Sequence, residues 1–406
     1  MHKIERPWVV MLAVFFVTEG RYALAEPTPP AKAEFGAVPV AGGGSDYGYG
    51  VGGIANYALP NKKDPPFTWA LELGAFVTFQ YADKSVRSPY QDVYLLFRHL
   101  DLWQGRGRLE ARTSWTRESS LNYFGIGNAS MAPKSQPLAP DQYERMHPEG
   151  HVRLRYRLLG PLSLELGQTF AHNRLDIGSQ TRLAEDVKAP PAGFSSSFKT
   201  TAPHNLARTE FMLAMDTRDN EISPTRGQFH TLQFRVSPQI GNAFPFGYRQ
   251  FNFTARAYHP IVTPRVVVAG RFVADVLQGA PPFFELARFE ETNAVGGLKG
   301  VRGVLAQRYH GKVKAFANLE LRIRLLGFHI GSKSYTLGAV TFFDTGRVWS
   351  QLPASRELDG TGFGLKYGVG GGLRLMQGST FVVRGDVAWS PDARPVGAYL
   401  VAGHIF

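Results

Sequence analysis

Residues 151–158 read His151-Val-Arg-Leu-Arg-Tyr-Arg-Leu158, in which three arginines alternate with apolar side chains. After a tight turn at Gly160, leucines alternate with other residues in the same way from Leu162 to Gly167. A period of two is typical of a β-strand, because successive side chains point to opposite faces. A soluble β-sandwich can show this alternation too. An arginine ladder opposite an aliphatic one, however, indicates a barrel with lipid outside and a charged, wet lumen inside.

The same alternation recurs along the chain, for example in Leu71–Phe79 and Ala317–Arg324. We count about fifteen such segments from Tyr47 onward. A barrel with both termini on one side needs an even number of strands. We therefore predict an all-β fold, a transmembrane antiparallel β-barrel of sixteen strands, with the uncounted strand between Leu175 and Leu206.

The composition limits the classes of function. The 406 residues include no cysteine, and 45 Lys and Arg against 33 Asp and Glu give a net charge of +12. The lack of cysteine excludes disulfides, thiolate metal sites and a catalytic thiol. The positive charge fits nucleic acid or an anionic membrane surface. Because the arginines alternate with aliphatic residues and not with stacking aromatics, we predict no nucleic-acid partner.

The first 25 residues are typical of a secretory signal. Lys3 and Arg6 precede an apolar run, Trp8–Val17, and Ala23-Leu-Ala25 matches a cleavage site. An N-terminal membrane anchor is the alternative. No later run approaches the roughly 18 apolar residues that a spanning helix needs.

A long segment, Gly279–Lys312, interrupts the strand pattern. It contains Pro281-Pro-Phe-Phe-Glu285 and continues as Asn293-Ala-Val-Gly-Gly-Leu-Lys-Gly-Val-Arg-Gly-Val304. A loop of this length in a compact domain is usually functional or disordered, and its apolar residues argue against disorder. We therefore expect an ordered, packed loop.

Arg302 is the candidate functional residue of this loop. Its guanidinium is a rigid, planar fork of donors that suits carboxylates. The strand-like segments that follow offer two of them, Glu320 and Asp344. The alternative is a solvated loop arginine among glycines that only make turns.

In this order, the Gly-Gly, the Val-Arg-Gly, the Leu-Glu strand and Phe342-Phe-Asp-Thr-Gly-Arg-Val-Trp349 resemble the C-terminal barrel of the Omp85 superfamily. That superfamily includes BamA, TamA and the two-partner secretion transporters. The resemblance implies that the arginine lies at the tip of an extracellular loop that folds back into the barrel, held by acidic residues of the next two strands. The lock between loop and barrel would comprise Val301, Arg302, Gly303, Glu320, Asp344 and Gly346. Val304 stands where the family has an aromatic residue.

Other stretches resemble the same barrels. One is Asn122-Tyr-Phe-Gly-Ile-Gly-Asn128, which opens a long loop. The resemblance also implies a periplasmic turn motif, for which a charged surface turn is the alternative reading. That motif comprises Asp216, Arg218, Asp219, Pro224 and Gly227.

The seam between the first and last strands matters for function, and we place it between Tyr47–Leu59 and Gly397–Phe406. A barrel that inserts other proteins needs a weak seam, and glycine weakens strands. The seam residues are therefore predicted to be Gly48, Gly50, Gly52 and Phe406. The terminal phenylalanine also resembles the signal by which such barrels are recognised for assembly.

No motif for chemistry is present. The sequence lacks Gly-x-Ser-x-Gly, His-Glu-x-x-His and a phosphate loop. We therefore predict that the chain is not an enzyme and has no catalytic, cofactor-binding or metal site.

The resemblance implies a barrel that assists insertion, assembly or translocation of protein or lipid at a Gram-negative outer membrane, with a periplasmic N-terminus. A passive pore or structural barrel is the alternative. The implied partners are outer-membrane lipid and lipopolysaccharide, together with client outer-membrane proteins or periplasmic factors. By this reading residues 1–25 are the signal, residues 26–46 a flexible periplasmic lead too short for a POTRA module, and residues 47–406 the barrel.

Overall fold

The computed structural model of the chain describes residues 32–60, 67–82, 84–132, 141–288, 295–378, 381–392 and 396–406. The predicted signal, residues 1–25, lies outside these ranges, as do the first residues of the predicted lead and Asn293 of the long loop.

A closed antiparallel β-barrel of sixteen strands is the main feature of the described residues. A seventeenth, short strand, β4, pairs with the end of β3. The strands are β1 Glu34–Gly44, β2 Gly48–Pro60, β3 Phe67–Ala82, β4 Ser85–Arg87, β5 Tyr90–Leu102, β6 Gly107–Asn122, β7 Gln142–Leu159, β8 Leu162–Ile177, β9 His204–Asp216, β10 Gly227–Ser237, β11 Tyr248–Pro260, β12 Val266–Gly279, β13 Val313–Ile330, β14 Lys333–Trp349, β15 Lys366–Gln377, β16 Phe381–Trp389 and β17 Gly397–Ala402. The predicted fold class and strand number are confirmed.

The two ends of the barrel differ. The start of β1 and the end of β17 lie at one end, here named the terminal end, with the turns 103–106, 160–161, 217–226, 261–265 and 331–332. The other end, the loop end, has the longer connections, including 178–203 and 280–312. No helix in the described ranges is both long and apolar enough to cross a membrane.

The loop end is filled by aromatic side chains from several connections. The β8–β9 loop contains helix α1, Arg182–Lys188, and a 3-10 helix, Ser195–Phe198. The β12–β13 loop contains a second 3-10 helix, Phe283–Ala287, and α2, Arg356–Asp359, follows β14. An apolar cluster joins these loops to the wall and includes Leu121, Tyr123, Tyr143, Phe194, Phe198, Phe246, Phe283 and Phe284.

The sixteenth strand is not where we predicted it. Residues 178–203 form the loop with α1, whereas the extra strand is β1, within the segment predicted to be a flexible lead. β1 pairs with β2 along its whole length, from Glu34↔Ala58 to Gly44↔Gly48. Its glycines and Pro39 indicated a linker by local preference, but pairing with β2 overrides that preference. The barrel therefore begins at Glu34.

The two faces of β7 are as predicted. Val152 is 51% exposed on the outer wall. Inside the barrel, Arg153 Nη2 lies 3.8 Å from Glu210 Oε2, and Arg155 Nη2 lies 2.8 Å from Glu165 Oε2. Arg157, nearer the terminal end, is exposed and donates to the Gly105 carbonyl. Much of the positive charge of this strand therefore points into the lumen.

Candidate functional site

Arg302 is completely buried inside the barrel. Its Nε and Nη2 donate to the two oxygens of Asp344 at 2.7 and 3.0 Å, and its Nη1 donates to Glu320 at 2.8 Å. Its guanidinium also lies over the ring of Phe342, with the carbon 3.4 Å from the ring centroid. The structure thus brings Arg302 together with both carboxylates that we named. Bidentate pairs of this kind are among the strongest hydrogen-bonded contacts in proteins.

A third carboxylate, that of Asp386 on β16, was not predicted. Its Oδ2 accepts from Arg302 Nη1 at 3.1 Å. The signal was present in the sequence, because alternation along β16 places Arg384 and Asp386 on the same face as the lumen residues of β15. The sequence alone does not show that this face lies next to Arg302, because the contact forms only when the barrel closes around the loop.

Further arginines surround these acids. Arg322 donates to Glu320 at 2.8 Å, and Arg374 and Arg384 donate to Asp386 at 2.5 and 3.1 Å. With Arg302, four buried arginines thus meet three buried carboxylates. Removing charges from water is expensive, so such a cluster is stable only while each charge keeps its partners.

Small residues let the loop tip approach the wall. A Cβ on Gly368 of β15 would lie 1.8 Å from the Arg302 carbonyl oxygen, so only glycine fits there. A Cβ on Gly346 would lie 2.7 Å from that of Phe316. Gly303 has a positive φ of 89° and donates through its N–H to the Tyr399 hydroxyl at 3.0 Å.

Valines flank the buried arginine. Val301 and Val304 are both fully buried, in a cluster with Val295, Tyr309 and Phe316. Val304 therefore packs well although it replaces the aromatic residue of the family pattern.

The same loop has a second anchor on the opposite wall, which the sequence reasoning missed. Glu285 lies 3.6 Å from Arg208 of β9, and Arg288 forms an ion pair with Glu118 of β6. Phe283 and Phe284 are buried beside them. A lumen cavity of about 370 Å³ borders this anchor. The loop 280–312 therefore contacts both sides of the lumen.

The Asn122–Asn128 stretch packs against this loop. Asn122 Nδ2 donates to the Ala306 carbonyl at 2.9 Å, and Gly127 N–H donates to the His310 carbonyl at 2.7 Å. The stretch Asn122–Asn128, which resembles Omp85 barrels, therefore supports the long loop through these hydrogen bonds.

The seam that closes the barrel lies between β1 and β17 and is short. The paired residues are Gly43↔Leu400 and Gly44↔Tyr399, whereas β1 and β2 pair over eleven positions. Beside them, Ser45 N–H donates to the Ala398 carbonyl at 2.9 Å. Within the described ranges, Glu34–Gly42 has no β17 partner.

The seam residues that we predicted lie elsewhere, so that prediction is wrong. Gly48, Gly50 and Gly52 belong to β2 and are paired with β1, and the last two are also paired with β3. We predicted the wrong seam because we did not recognise β1 as a strand. Which strand lies at the seam depends on how many strands precede it, and the glycines within a strand do not show this. The glycines at the actual seam are residues 42–44.

Phe406 does not close a strand. β17 ends at Ala402, and the chain then turns into the lumen. The Phe406 carbonyl accepts from Arg322 Nη2 at 2.9 Å, and its ring packs in a cluster with Tyr258 and Val267. Phe406, which we assigned to the seam, therefore lies inside the barrel, next to Arg322 and apolar side chains.

The predicted turn motif forms a compact charged turn between β9 and β10. Arg218 donates to both oxygens of Asp216 at 2.9 and 2.6 Å. Asp219 accepts from the Thr225 N–H at 2.9 Å, Pro224 is buried, and Gly227 has a φ of 97°. Although partial burial raises the pKa of Asp219, hydrogen bonds from Thr225 and Arg226 hold it below its usual range.

Comparisons with known proteins agree with this architecture. The Omp85 superfamily domain matches residues 100–404. The fold is similar to the crystal structure of BamA from Haemophilus ducreyi lacking POTRA domains 1-3, with 13% identity, a TM-score of 0.59, and coverage of 92% of this chain and 70% of that one. It is also similar to CdiB from Escherichia coli, with 15% identity, a TM-score of 0.58, and coverage of 93% and 64%.

This chain therefore spans less than two thirds of the CdiB chain. None of the curated proteins compared with the chain matches it. At these identities the solved structures show the fold alone, whereas the family match covers most of the sequence. The resemblance stated from the motifs is confirmed, and the chain belongs to the Omp85 superfamily.

Proposed function

We propose that this chain is an outer-membrane barrel that assists insertion or translocation of other proteins by opening between β1 and β17. The observation that carries the proposal is the seam of two residue pairs, beside which Glu34–Gly42 of β1 has no β17 partner among the described residues. In lipid, unpaired backbone N–H and C=O groups are costly, so an open barrel edge needs a partner strand. A strand of another protein can satisfy that edge by pairing with it.

The membrane orientation is part of the proposal. We place the terminal end in the periplasm and the loop end outside, because outer-membrane barrels have short periplasmic turns and longer extracellular loops. The predicted signal supports the same orientation. The proposed partners are client outer-membrane proteins, periplasmic factors and the surrounding lipid, and the proposed role involves no enzymatic step.

The structure gives little support to a passive pore. Arg288 of the loop is tied to β6 and Arg302 to β14, so the described parts of the loop contact opposite walls of the lumen. A structural barrel without activity remains the rival that an experiment must separate from the proposal.

A disulfide across the seam tests the proposal, because the chain contains no cysteine of its own. Continuing the observed register past Gly43↔Leu400 places Ala41 opposite Ala402. We expect Ala41→Cys with Ala402→Cys to crosslink on oxidation and to abolish client assembly, with activity returning on reduction. The assay follows a urea-denatured, eight-stranded outer-membrane barrel folding into vesicles that contain the chain.

The matched control shares one of the two cysteines. Val383→Cys with Ala402→Cys joins β16 to β17, which are already paired at these positions. Oxidation of this pair should leave client assembly unchanged. If the wild-type chain does not accelerate client folding, or if the oxidised seam variant does so as well as the control, the chain is a structural barrel.

A further inference from the structure

The turn between β5 and β6 has a strained backbone. Trp103, Gln104 and Gly105 follow one another with positive φ values of 51°, 59° and 78°. Non-glycine residues rarely adopt this conformation, and a bulky one such as tryptophan does so least. Strain of this kind persists where the surrounding structure enforces it, and it concentrates at functional positions such as ligand sites.

The strain places the Trp103 ring against the outer wall. A Cβ on Gly107 would lie 2.3 Å from Trp103 Cε3, so the ring occupies space that only glycine leaves free. The ring meets Tyr156 of β7 edge-on, with centroids 5.7 Å apart. The turn is also tied to β7, because Arg157 N–H donates to the Arg106 carbonyl at 2.8 Å. Trp103 is nevertheless 56% exposed.

An open groove of about 600 Å³ runs beside this ring on the outside of the barrel. Its apolar side consists of Leu154 and Tyr156 of β7 with Leu164 and Leu166 of β8. These leucines belong to the aliphatic ladder that faces lipid. The groove lies near the terminal end, at the level where aromatic girdles of membrane barrels meet the headgroups.

The other side of the groove is polar and cationic. It is formed by Gln104 and Arg106 of the turn, and no carboxylate is among the described residues that line it. Arg106 is exposed, and its side chain makes no ion pair within the described part of the chain. The nearby Arg108, by contrast, pairs with Glu221 at 3.2 Å. A free guanidinium at the headgroup level above an aliphatic wall complements an anion that carries an acyl chain.

We propose that this groove binds an anionic glycerophospholipid. Its phosphate would contact Arg106, with Gln104 as a neutral hydrogen-bonding neighbour, and one acyl chain would lie along Leu154 and Leu166. Trp103, fixed over Gly107, forms the wall between headgroup and chain. The site requires only that the barrel spans a membrane, so it stands whether or not the chain assists other proteins.

Quenching of Trp103 fluorescence by brominated lipids tests the site. The full chain is reconstituted in phosphatidylcholine vesicles that contain a small fraction of either brominated phosphatidylglycerol or brominated phosphatidylcholine. The difference between wild type and Trp103→Phe isolates the signal of this ring. We expect brominated phosphatidylglycerol to quench Trp103 more strongly. Arg106→Gln should weaken that preference about fivefold, which corresponds to the roughly 1 kcal/mol that a basic residue contributes near an anionic membrane.

Two further variants separate a built site from simple surface charge. Arg226→Gln removes another exposed arginine at the same end and should leave the preference unchanged. Gly107→Ala should displace the ring and reduce the preference, although Arg106 remains; retained mobility on unheated gels shows that each variant folds.

Several outcomes would overturn the proposal. These are equal quenching of the wild type by the two lipids, an unchanged preference in Arg106→Gln, or an equal loss in Arg226→Gln. An unchanged preference in Gly107→Ala would reduce the groove to a lone surface charge. Competition by inorganic phosphate at the concentration of the lipid would assign the site to a free anion instead. Client assembly is not part of this measurement, so its result is independent of the proposed function.

Discussion

The side chain of Arg302 is permanently charged and completely buried. A buried charge of this kind is stable only while its N–H donors keep their carboxylate acceptors. We expect Arg302→Ala to lower the free energy of unfolding by about 3 to 5 kcal/mol, because it leaves buried carboxylates without their partner. Asp344→Ala should cost a similar amount, since it leaves the guanidinium short of two acceptors. Urea unfolding of the detergent-solubilised barrel, followed by tryptophan fluorescence, measures both.

The double variant gives the sharper result. Arg302→Ala with Asp344→Ala should cost less than the sum of the single changes, because the second substitution removes a charge that the first left unpaired. Arg108→Ala is the control, since its ion pair with Glu221 is exposed and should contribute at most about 1 kcal/mol. Strict additivity of the two lumen substitutions would show that the residues do not act as a pair.

At the scale of the element, the folding of β7 into the membrane depends more on which of its two faces carries a charge than on any single contact. Val152→Arg places a charge on the lipid side, which costs roughly 2 to 4 kcal/mol near the midplane of a membrane. Arg155→Leu removes a half-buried lumen arginine and leaves the side chain of Glu165, which is 12% exposed, without this partner. We expect the first change to impair folding into lipid vesicles far more than the second, as judged by the fraction that migrates as folded protein on unheated gels. Equal effects would mean that the two faces are assigned wrongly.

The long loop acts as an element with two anchors and not as a flexible connection. Its Arg288 pairs with Glu118 of β6 and its Arg302 pairs with Asp344 of β14, on opposite sides of the lumen. Asp46 of the β1–β2 turn also lies near the loop, because the backbone N–H of Ala306 lowers the pKa of its carboxyl group. Asp46 therefore lies between the loop and Ser45, the residue whose N–H donates to the Ala398 carbonyl beside the seam.

At the scale of the whole molecule, this carboxylate makes stability depend on pH. Burial raises the pKa of Asp46 to about 7, although the hydrogen bond from Ala306 acts in the opposite direction. An unfolded aspartate releases its proton near pH 4, so between about pH 4 and pH 7 the folded state binds the extra proton. Stability should therefore fall as the pH rises through this window.

Asp46→Asn should remove that slope, as measured by the free energy of unfolding at a series of pH values. Asp219→Asn is the matched control. Hydrogen bonds keep the pKa of Asp219 below its usual range, so its stabilising effect is present above pH 4 and is lost only in acid. This variant should lose stability evenly across the window and keep the wild-type slope. A slope that survives in Asp46→Asn would assign the pH dependence to another group.

Some features of this protein follow from the sequence alone because they depend on neighbours along the chain. The alternation of Arg153 and Arg155 with Val152 determines strand, lumen face and lipid face, since side chains of a strand have a period of two. The resemblance of the motif order to Omp85 barrels implied that Arg302 would meet Asp344 and Glu320, and the structure places these three side chains together.

Other features were decided by tertiary structure. β1 is a strand because β2 supplies its hydrogen bonds, although its own glycines and Pro39 favour a linker. Asp386 joins Arg302 only because closing the barrel brings β16 under the loop tip. Phe406 turns inward because Arg322 and an apolar cluster receive it there. The physical reason is the same in each case: these positions are set by contacts between residues far apart in the chain, and a period of two carries no information about which strands become neighbours.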